Sequence, residues 1–110
     1  MRTEFVTSRQ DGTLIVGASN GKDDYILWQR SEHERDHIYF EFRDQFNSGY
    51  NIVEECTIDN DGCHIVLNNG DMVHFYWQPP RHTNLEDFVS ELTSLYGENA
   101  SMIDDSRSTE

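Results

Sequence analysis

The chain has 110 residues, 35% of them hydrophobic and 12% aromatic, which suits one compact domain with a single core. Its net charge is −13, from 21 acidic and 8 basic side chains, so the positive charge that nucleic-acid phosphates require is missing and nucleic acid is excluded as a direct ligand. No apolar run is long enough to span a membrane. The N-terminal stretch MRTEFVTSRQDG lacks the apolar segment of a signal peptide, which predicts a cytoplasmic protein.

The first half of the chain has the hydrophobic pattern of β-strands. Alternating or continuous apolar segments predict four strands, over residues 2–8, 13–19, 24–30 and 37–43. The dipeptide Asp11-Gly12 favours a tight hairpin between the first two strands. The segment NSGYN, residues 47–51, interrupts the pattern and predicts a bulge or turn at Gly49.

Three further strands are predicted between residue 51 and Pro79, as a meander. The turn at residues 59–62 would pair Ile58 with Cys63, Cys56 with Ile65 and Glu54 with Leu67. The next loop, Asn68-Asn69-Gly70, would place Val73, Phe75 and Trp77 on the same face as Cys63, Ile65 and Leu67. The agreement between turn chemistry and hydrophobic face supports this register.

One helix is predicted after the strands. Thr83 and Glu86 have the spacing of a capping box, and Gly97 has the position of a helix-ending glycine. The apolar stripe between them consists of Leu85, Phe88, Val89, Leu92, Leu95 and Tyr96. The predicted fold is therefore α+β: an antiparallel meander of about six to seven strands with one C-terminal helix packed on one face. Residues 1–97 form the single domain, and residues 98–110 form a flexible acidic tail.

The two cysteines, Cys56 and Cys63, are predicted to be thiols in the core. In the favoured register they are diagonal neighbours, about 7–8 Å apart, which is too far for a disulfide.

The segment HERDH, residues 33–37, matches the H-E-x-x-H signature of zinc hydrolases through His33, Glu34 and His37. Catalysis by this motif needs a helix that presents both histidines on one face. Here the flanking residues alternate as strands, which predicts a charged loop instead. The sequence therefore predicts no catalytic residue, no metal site and no cofactor.

Two other features leave alternatives open. His64 and His74 face each other across the predicted hairpin, where they would hold a metal or, as we favour, be ordinary solvent-facing residues. Several aromatic residues would either form a binding surface among the acids or simply cover the sheet. They are Tyr25, Trp28, Tyr39, Tyr50, Tyr76 and Trp77.

Residues 25 to about 67 resemble bacterial immunity-protein family ten. The stretches that carry the resemblance are YILWQR (25–30), IYFEF (38–42), Gln45 and SGYNIVEECTID (48–59). The matching positions are Tyr25, Leu27, Gln29, Arg30, Glu41, Gln45, Ser48, Gly49 and Tyr50. The resemblance implies a small protein that protects its producer by binding and blocking a cognate toxin. It implies no catalytic residues, because such proteins act by occlusion.

The sequence thus favours an immunity protein that is not an enzyme and that binds a basic toxin through an acidic, aromatic surface. The contact residues we predict lie around the 31–37 loop and the 43–51 segment: Asp24, Glu32, Glu34, Asp36, Asp44 and Tyr50. The alternatives are a small zinc-dependent hydrolase that uses HERDH and an acidic adaptor that inhibits nothing. An exposed sheet edge would also permit a homodimer.

Overall fold

The structure is a computed structural model that describes residues 3–21, 23–78 and 85–106, with the backbone alone at residues 44–47. It confirms the α+β class and contains more strands than the six or seven predicted. In chain order the strands are β1 Glu4–Gln10, β2 Thr13–Ser19, β3 Tyr25–Ser31, β4 Ile38–Phe42, β5 Asp44–Tyr50, β6 Val53–Ile58, β7 Gly62–Leu67, β8 Met72–Tyr76 and β9 Ile103–Asp105. Between β8 and β9 lie the helix α1, Leu85–Tyr96, and a 3-10 helix, Gly97–Met102.

The strands form two sheets, not the single meander that was predicted. The first sheet has the order β1-β2-β3-β4-β5, and the second has the order β8-β7-β6-β9. The chain leaves the first sheet at Asn51, which has a positive φ of 55°. The Asn51 amide still donates to the carbonyl of Ile38, at 2.8 Å, so this turn anchors the end of β5 before β6 begins elsewhere.

The hairpin of β1 and β2 has the turn that its sequence predicts. Asp11 and Gly12 both have positive φ, 52° and 76°, between the paired residues Gln10 and Thr13. Two consecutive positive φ angles define a type I′ turn, whose twist matches that of the two strands.

The predicted register of β6, β7 and β8 is confirmed except at one end. Ile58 pairs with Cys63, and Cys56 pairs with Ile65. The expected pair of Glu54 with Leu67 is wrong, because a bulge shifts the register and Val53 takes that place. The bulge leaves the Glu54 side chain exposed to solvent, so this carboxylate needs no buried partner.

Helix α1 packs on the inner face of the first sheet and joins it to the second. The Phe88 ring lies 5.2 Å from the ring of Phe5, 6.0 Å from Trp28 and 5.7 Å from Trp77. Trp28 Nε1 donates a hydrogen bond of 3.0 Å to the hydroxyl of Tyr96 at the end of the helix. The predicted apolar stripe is therefore the core contact, although Val89 is only partly buried. Thr83 of the predicted capping box lies outside the described residues.

The segment after the helix differs from the flexible tail that was predicted. Gly97, with φ 57°, ends α1 as expected. The following 3-10 helix then leads into β9, which pairs in parallel with β6 from Cys56↔Ile103 to Ile58↔Asp105. This segment is ordered against the domain because the apolar side chains of Met102 and Ile103 are partly buried and pack on the core.

Cys56 and Cys63 are free, buried thiols, as predicted. Their diagonal register is also confirmed, but the side chains lean together and bring the two sulfur atoms to 3.7 Å. Among the described residues no helix is long and apolar enough to cross a membrane.

Candidate functional site: an acidic aromatic cleft

A cleft of about 410 Å³ opens on the outer face of the first sheet, opposite the face that carries helix α1. The strand residues that line it alternate with buried ones: Thr13 precedes Leu14, Gln29 precedes Arg30, and Tyr39 follows Ile38. The period of two along each strand therefore directs these polar side chains away from the core and into the cleft. The complete lining is Thr13, Gln29, Ser31, Glu34, His37, Tyr39 and Tyr50.

Three aromatic rings form one wall of the cleft. Tyr39 and Tyr50 are cross-strand partners on β4 and β5, with their rings 5.4 Å apart and inclined by 60°. His37 meets Tyr50 edge to face at 6.2 Å. Edge-to-face contacts of this kind hold the rings in place while leaving ring faces available. Tyr50 is 64% exposed, so a ligand or partner can reach it directly.

A carboxylate lies at the base of this wall. Glu41 accepts hydrogen bonds from the hydroxyls of Tyr25 and Tyr39, the latter at 2.6 Å. The bonds from Tyr25 and then Tyr39 lower the pKa of Glu41, because they stabilise its ionised form. The same bond to Glu41, together with burial, raises the pKa of Tyr39. The hydroxyl of Tyr39 is therefore held by the carboxylate of Glu41.

The HERDH segment forms the rim of the cleft as a loop, as predicted. Residues 32–37 adopt turns, with the Glu34 amide bonded to the Ser31 carbonyl at 3.3 Å and the His37 amide bonded to the Glu34 carbonyl at 3.0 Å. His37 Nδ1 lies 3.1 Å from a carboxylate oxygen of Glu34. The segment therefore lacks the helix that presents both histidines on one face in zinc hydrolases. Within residues 3–21, 23–78 and 85–106, no group of three or more His, Cys, Asp or Glu side chains is placed to hold a metal ion.

The structure brings together only some of the predicted contact residues. Glu34 and Tyr50 both line the cleft, and Glu32 is exposed on the same loop. Asp36 is exposed too, but it lines a different cavity, beside Tyr96 and Asn99.

The Asp24 side chain forms hydrogen bonds within the protein. Its carboxylate accepts hydrogen bonds from Arg43 Nε and from Asn20 Nδ2, both at 2.9 Å. Asp44 begins β5, where the structure describes the backbone alone.

The six aromatic residues singled out in the sequence fall into three groups, which are buried, exposed and half-buried. Trp28 and Trp77 are buried in the core and cannot contact a partner. Tyr50 and Tyr76 are exposed, on different sheets. Tyr39 and Tyr25 are half-buried around Glu41. The two tryptophans therefore belong to the core, whereas the exposed tyrosines remain candidates for a binding surface.

The sequence reasoning missed the floor of the cleft. Thr13 and Ser31 are unremarkable polar residues when each strand is read alone, and Gln29 was noted only for the family resemblance and not as a contact residue. They meet because β2 and β3 pair antiparallel in the register Thr13↔Ser31 and Ile15↔Gln29. Strand alternation was a usable signal for their outward direction, but their proximity depends on a register that the alternation does not specify.

No protein-family model matches the chain, and the searches of curated proteins and of solved structures gave no match.

Proposed function

We propose that this protein is an immunity protein that binds a basic toxin through the acidic aromatic cleft and blocks it without catalysis. The observation that carries the proposal is the exposed Tyr50 ring, which stands against Tyr39 and His37 with the Glu34 carboxylate beside them. Aromatic anchors among carboxylates are typical of surfaces that bind proteins. The resemblance of residues 25–67 to immunity-protein family ten and the net charge of −13 support the same conclusion.

The cleft suits a basic side chain of the toxin. A guanidinium or ammonium group against the tyrosine faces gains a cation–π interaction of about 0.5–2 kcal/mol. The Glu34 carboxylate lies within the same cleft and neutralises the charge. The exposed residues Glu32 and Asp36 belong to the same loop and attract the basic surface of the toxin from a distance, although Asp36 does not line the cleft. The 31–37 loop then covers the active or substrate-binding surface of the toxin, which is the inhibitory step.

The first test is a pull-down from the native cytoplasmic lysate with mass spectrometry of the co-eluting protein. We expect one stoichiometric basic partner that is toxic when expressed alone and harmless when this protein is co-expressed. A stoichiometric partner that is not toxic would instead identify an adaptor that inhibits nothing. If no partner co-elutes, the proposal is wrong.

The second test places the partner on the cleft. Tyr50→Ala should weaken partner binding about 30-fold or more, because buried aromatic anchors contribute about 2 kcal/mol or more when they are hot spots. Tyr76→Ala is the matched control, since Tyr76 is 50% exposed on the other sheet and lines no part of the cleft. Equal effects of the two substitutions on the dissociation constant would show that the cleft is not the interface.

A further inference from the structure

A second polar cluster, unrelated to the cleft, lies on the outer face of the second sheet. His64 of β7 and His74 of β8 are register partners, and their Nδ1 atoms are 2.7 Å apart. The other ring nitrogen of His64, Nε2, lies 2.9 Å from Oδ2 of Asp59. The three side chains thus form a chain that runs from the β6–β7 turn across the sheet to β8.

The turn holds the Asp59 carboxylate in one orientation. Its Oδ1 accepts the backbone amides of Asp61, at 2.8 Å, and of Gly62, at 2.9 Å. The second oxygen, Oδ2, is left to accept a hydrogen bond from His64 Nε2. When His64 is neutral, this bond places its only ring proton on Nε2 and leaves the Nδ1 lone pair directed at His74. A carboxylate that orients a histidine in this way is the usual outer partner of a metal-binding imidazole.

Two species can occupy the space between the two Nδ1 atoms: a shared proton or a metal ion. We propose that the His64–His74 pair binds a divalent transition-metal ion, with Cu²⁺ preferred to Zn²⁺. Imidazole nitrogen is a suitable ligand for both ions, and affinities rise from Ni²⁺ to Cu²⁺ and fall again at Zn²⁺. This site is independent of the toxin-binding function proposed above.

The distance between the nitrogens decides which ion fits better. With metal–nitrogen bonds of about 2.0–2.1 Å, a right angle at the metal separates the nitrogens by about 2.9 Å and a tetrahedral angle by about 3.3 Å. The observed distance of 2.7 Å between the two Nδ1 atoms is closer to the value for a right angle, so the histidines need to move less to bind an ion with that geometry than a tetrahedral ion. Right angles belong to the square-planar and tetragonal geometries of Cu²⁺ and Ni²⁺.

The surroundings of the pair permit such an ion. The His64 side chain is 23% exposed, so water can complete the coordination. The Tyr76 ring lies 5.8 Å from the His64 ring and 6.3 Å from the His74 ring, which covers part of the site. A metal ion on both histidines would link β7 to β8 and stabilise the folded protein by mass action.

The test is a calorimetric titration of the metal-free protein with CuCl₂ at neutral pH, with electron paramagnetic resonance of the complex. We expect one Cu²⁺ per chain with the signature of two nitrogen ligands, and weaker binding of ZnCl₂. His74→Gln should abolish this site. The double substitution His33→Gln/His37→Gln removes the histidines of the exposed loop and should leave the two-nitrogen site intact.

Asp59→Asn gives a second, milder variant. The backbone amides of Asp61 and Gly62 should keep their hydrogen bonds to the side-chain oxygen of the new asparagine. Its NH₂ group then donates to His64 Nε2, so the ring proton of neutral His64 moves to Nδ1. We expect Cu²⁺ to bind about 10- to 100-fold more weakly, as when other outer partners of metal ligands are removed. Circular dichroism of each variant establishes that it folds; should His74→Gln unfold, Asp59→Asn decides the question.

Two results would overturn the proposal. One concerns the variants of the cluster: the folded His74→Gln protein would still give the two-nitrogen Cu²⁺ signal, or Asp59→Asn would bind Cu²⁺ with the affinity of the wild type. The other is loss of that signal in the His33→Gln/His37→Gln protein, which would place the ion on the loop.

Discussion

Glu41 shows how one carboxylate organises the wall of the cleft. The hydroxyls of Tyr25 on β3 and Tyr39 on β4 both donate to it, so their rings are held from one point. Hydrogen bonds to a charged acceptor are stronger than those between neutral groups. The ionised carboxylate of Glu41 thus holds the hydroxyl of Tyr39, whose ring packs 5.4 Å from that of Tyr50.

The lowered pKa of Glu41 predicts a pH-dependent stability. Because its folded-state pKa lies below the unfolded value of about 4.3, its contribution is complete above that pH. It is lost as pH falls through the folded-state pKa. Glu41→Gln keeps the shape but not the charge, so we expect it to unfold at lower urea concentration than the wild type at pH 7.

The difference between wild type and Glu41→Gln should close at strongly acidic pH, when the wild-type carboxyl is also neutral. This difference in stability is measured by urea unfolding at a series of pH values from 7 down to about 2.5, which is well below the ordinary glutamate pKa. Glu55→Gln, an exposed position on β6, is the control and should show little difference at either pH. A Glu41→Gln deficit of constant size across this range would contradict the assignment.

Arg30 and Gln29 are neighbours in the sequence with opposite roles. Gln29 lines the cleft, whereas Arg30 is only 5% exposed and donates from Nη1 to the Leu95 carbonyl at 2.9 Å. The guanidinium of Arg30 supplies a hydrogen-bond donor to a backbone carbonyl in the last turn of α1, and its positive charge interacts favourably with the helix dipole. Burial lowers the pKa of Arg30. The structure therefore places one of these neighbours at the surface and the other in the core.

At the scale of elements, the sequence predicted every strand that has a strong hydrophobic pattern and missed the two that do not. Strand β5, DQFNSGY, contains glycine, serine and asparagine and was interpreted as a break. It forms a strand because β4 offers it an edge, beyond the sharp turn at Arg43 with φ 60°. Strand β9 has only three residues and pairs with a strand more than forty positions away, which no local pattern reveals.

The same limits apply to the candidate site. Tyr50 and Glu34 were predicted as contacts on one surface, and the structure places both in the lining of the same cleft. Asp36 and Asp24 were predicted to share that surface from their charge and their position in the sequence. The structure directs Asp36 toward another cavity and ties Asp24 to Arg43. Side-chain direction and salt-bridge partners depend on the tertiary arrangement, so residue type and spacing could not have supplied them.

Strand β9 gives the prediction at this scale. Ending the chain after Met102 removes the strand, exposes the edge of β6 and deletes the bond from the Ser106 amide to the Ile58 carbonyl. We expect the free energy of unfolding to fall by roughly 1–3 kcal/mol, because each lost hydrogen bond contributes about 0.5–1.5 kcal/mol. Urea unfolding measures this loss. A chain that ends after Ser106 keeps β9 and should match the full-length protein; equal stability of both truncations would show that β9 contributes nothing.

At the scale of the whole molecule, charge and cleft should control different steps of partner binding. In the function proposed above, the net charge of −13 acts over distance and is expected to speed the encounter with a basic partner. The aromatic wall acts only after contact, when Tyr50 is covered. Association and dissociation rates can therefore be assigned to different parts of the surface.

We expect the association rate constant to fall about tenfold or more between 0.05 and 0.5 M NaCl, because salt screens the attraction between the opposite charges. The double substitution Glu32→Gln/Asp36→Asn should slow association and reduce its salt dependence, while the dissociation rate changes little. Tyr50→Ala should do the reverse, leaving association nearly unchanged and accelerating dissociation, since short-range packing governs the lifetime of a complex. Stopped-flow or surface plasmon resonance with the purified toxin measures both rates. An association rate insensitive to salt would mean that the acidic surface does not steer the partner, whatever Tyr50 contributes afterwards.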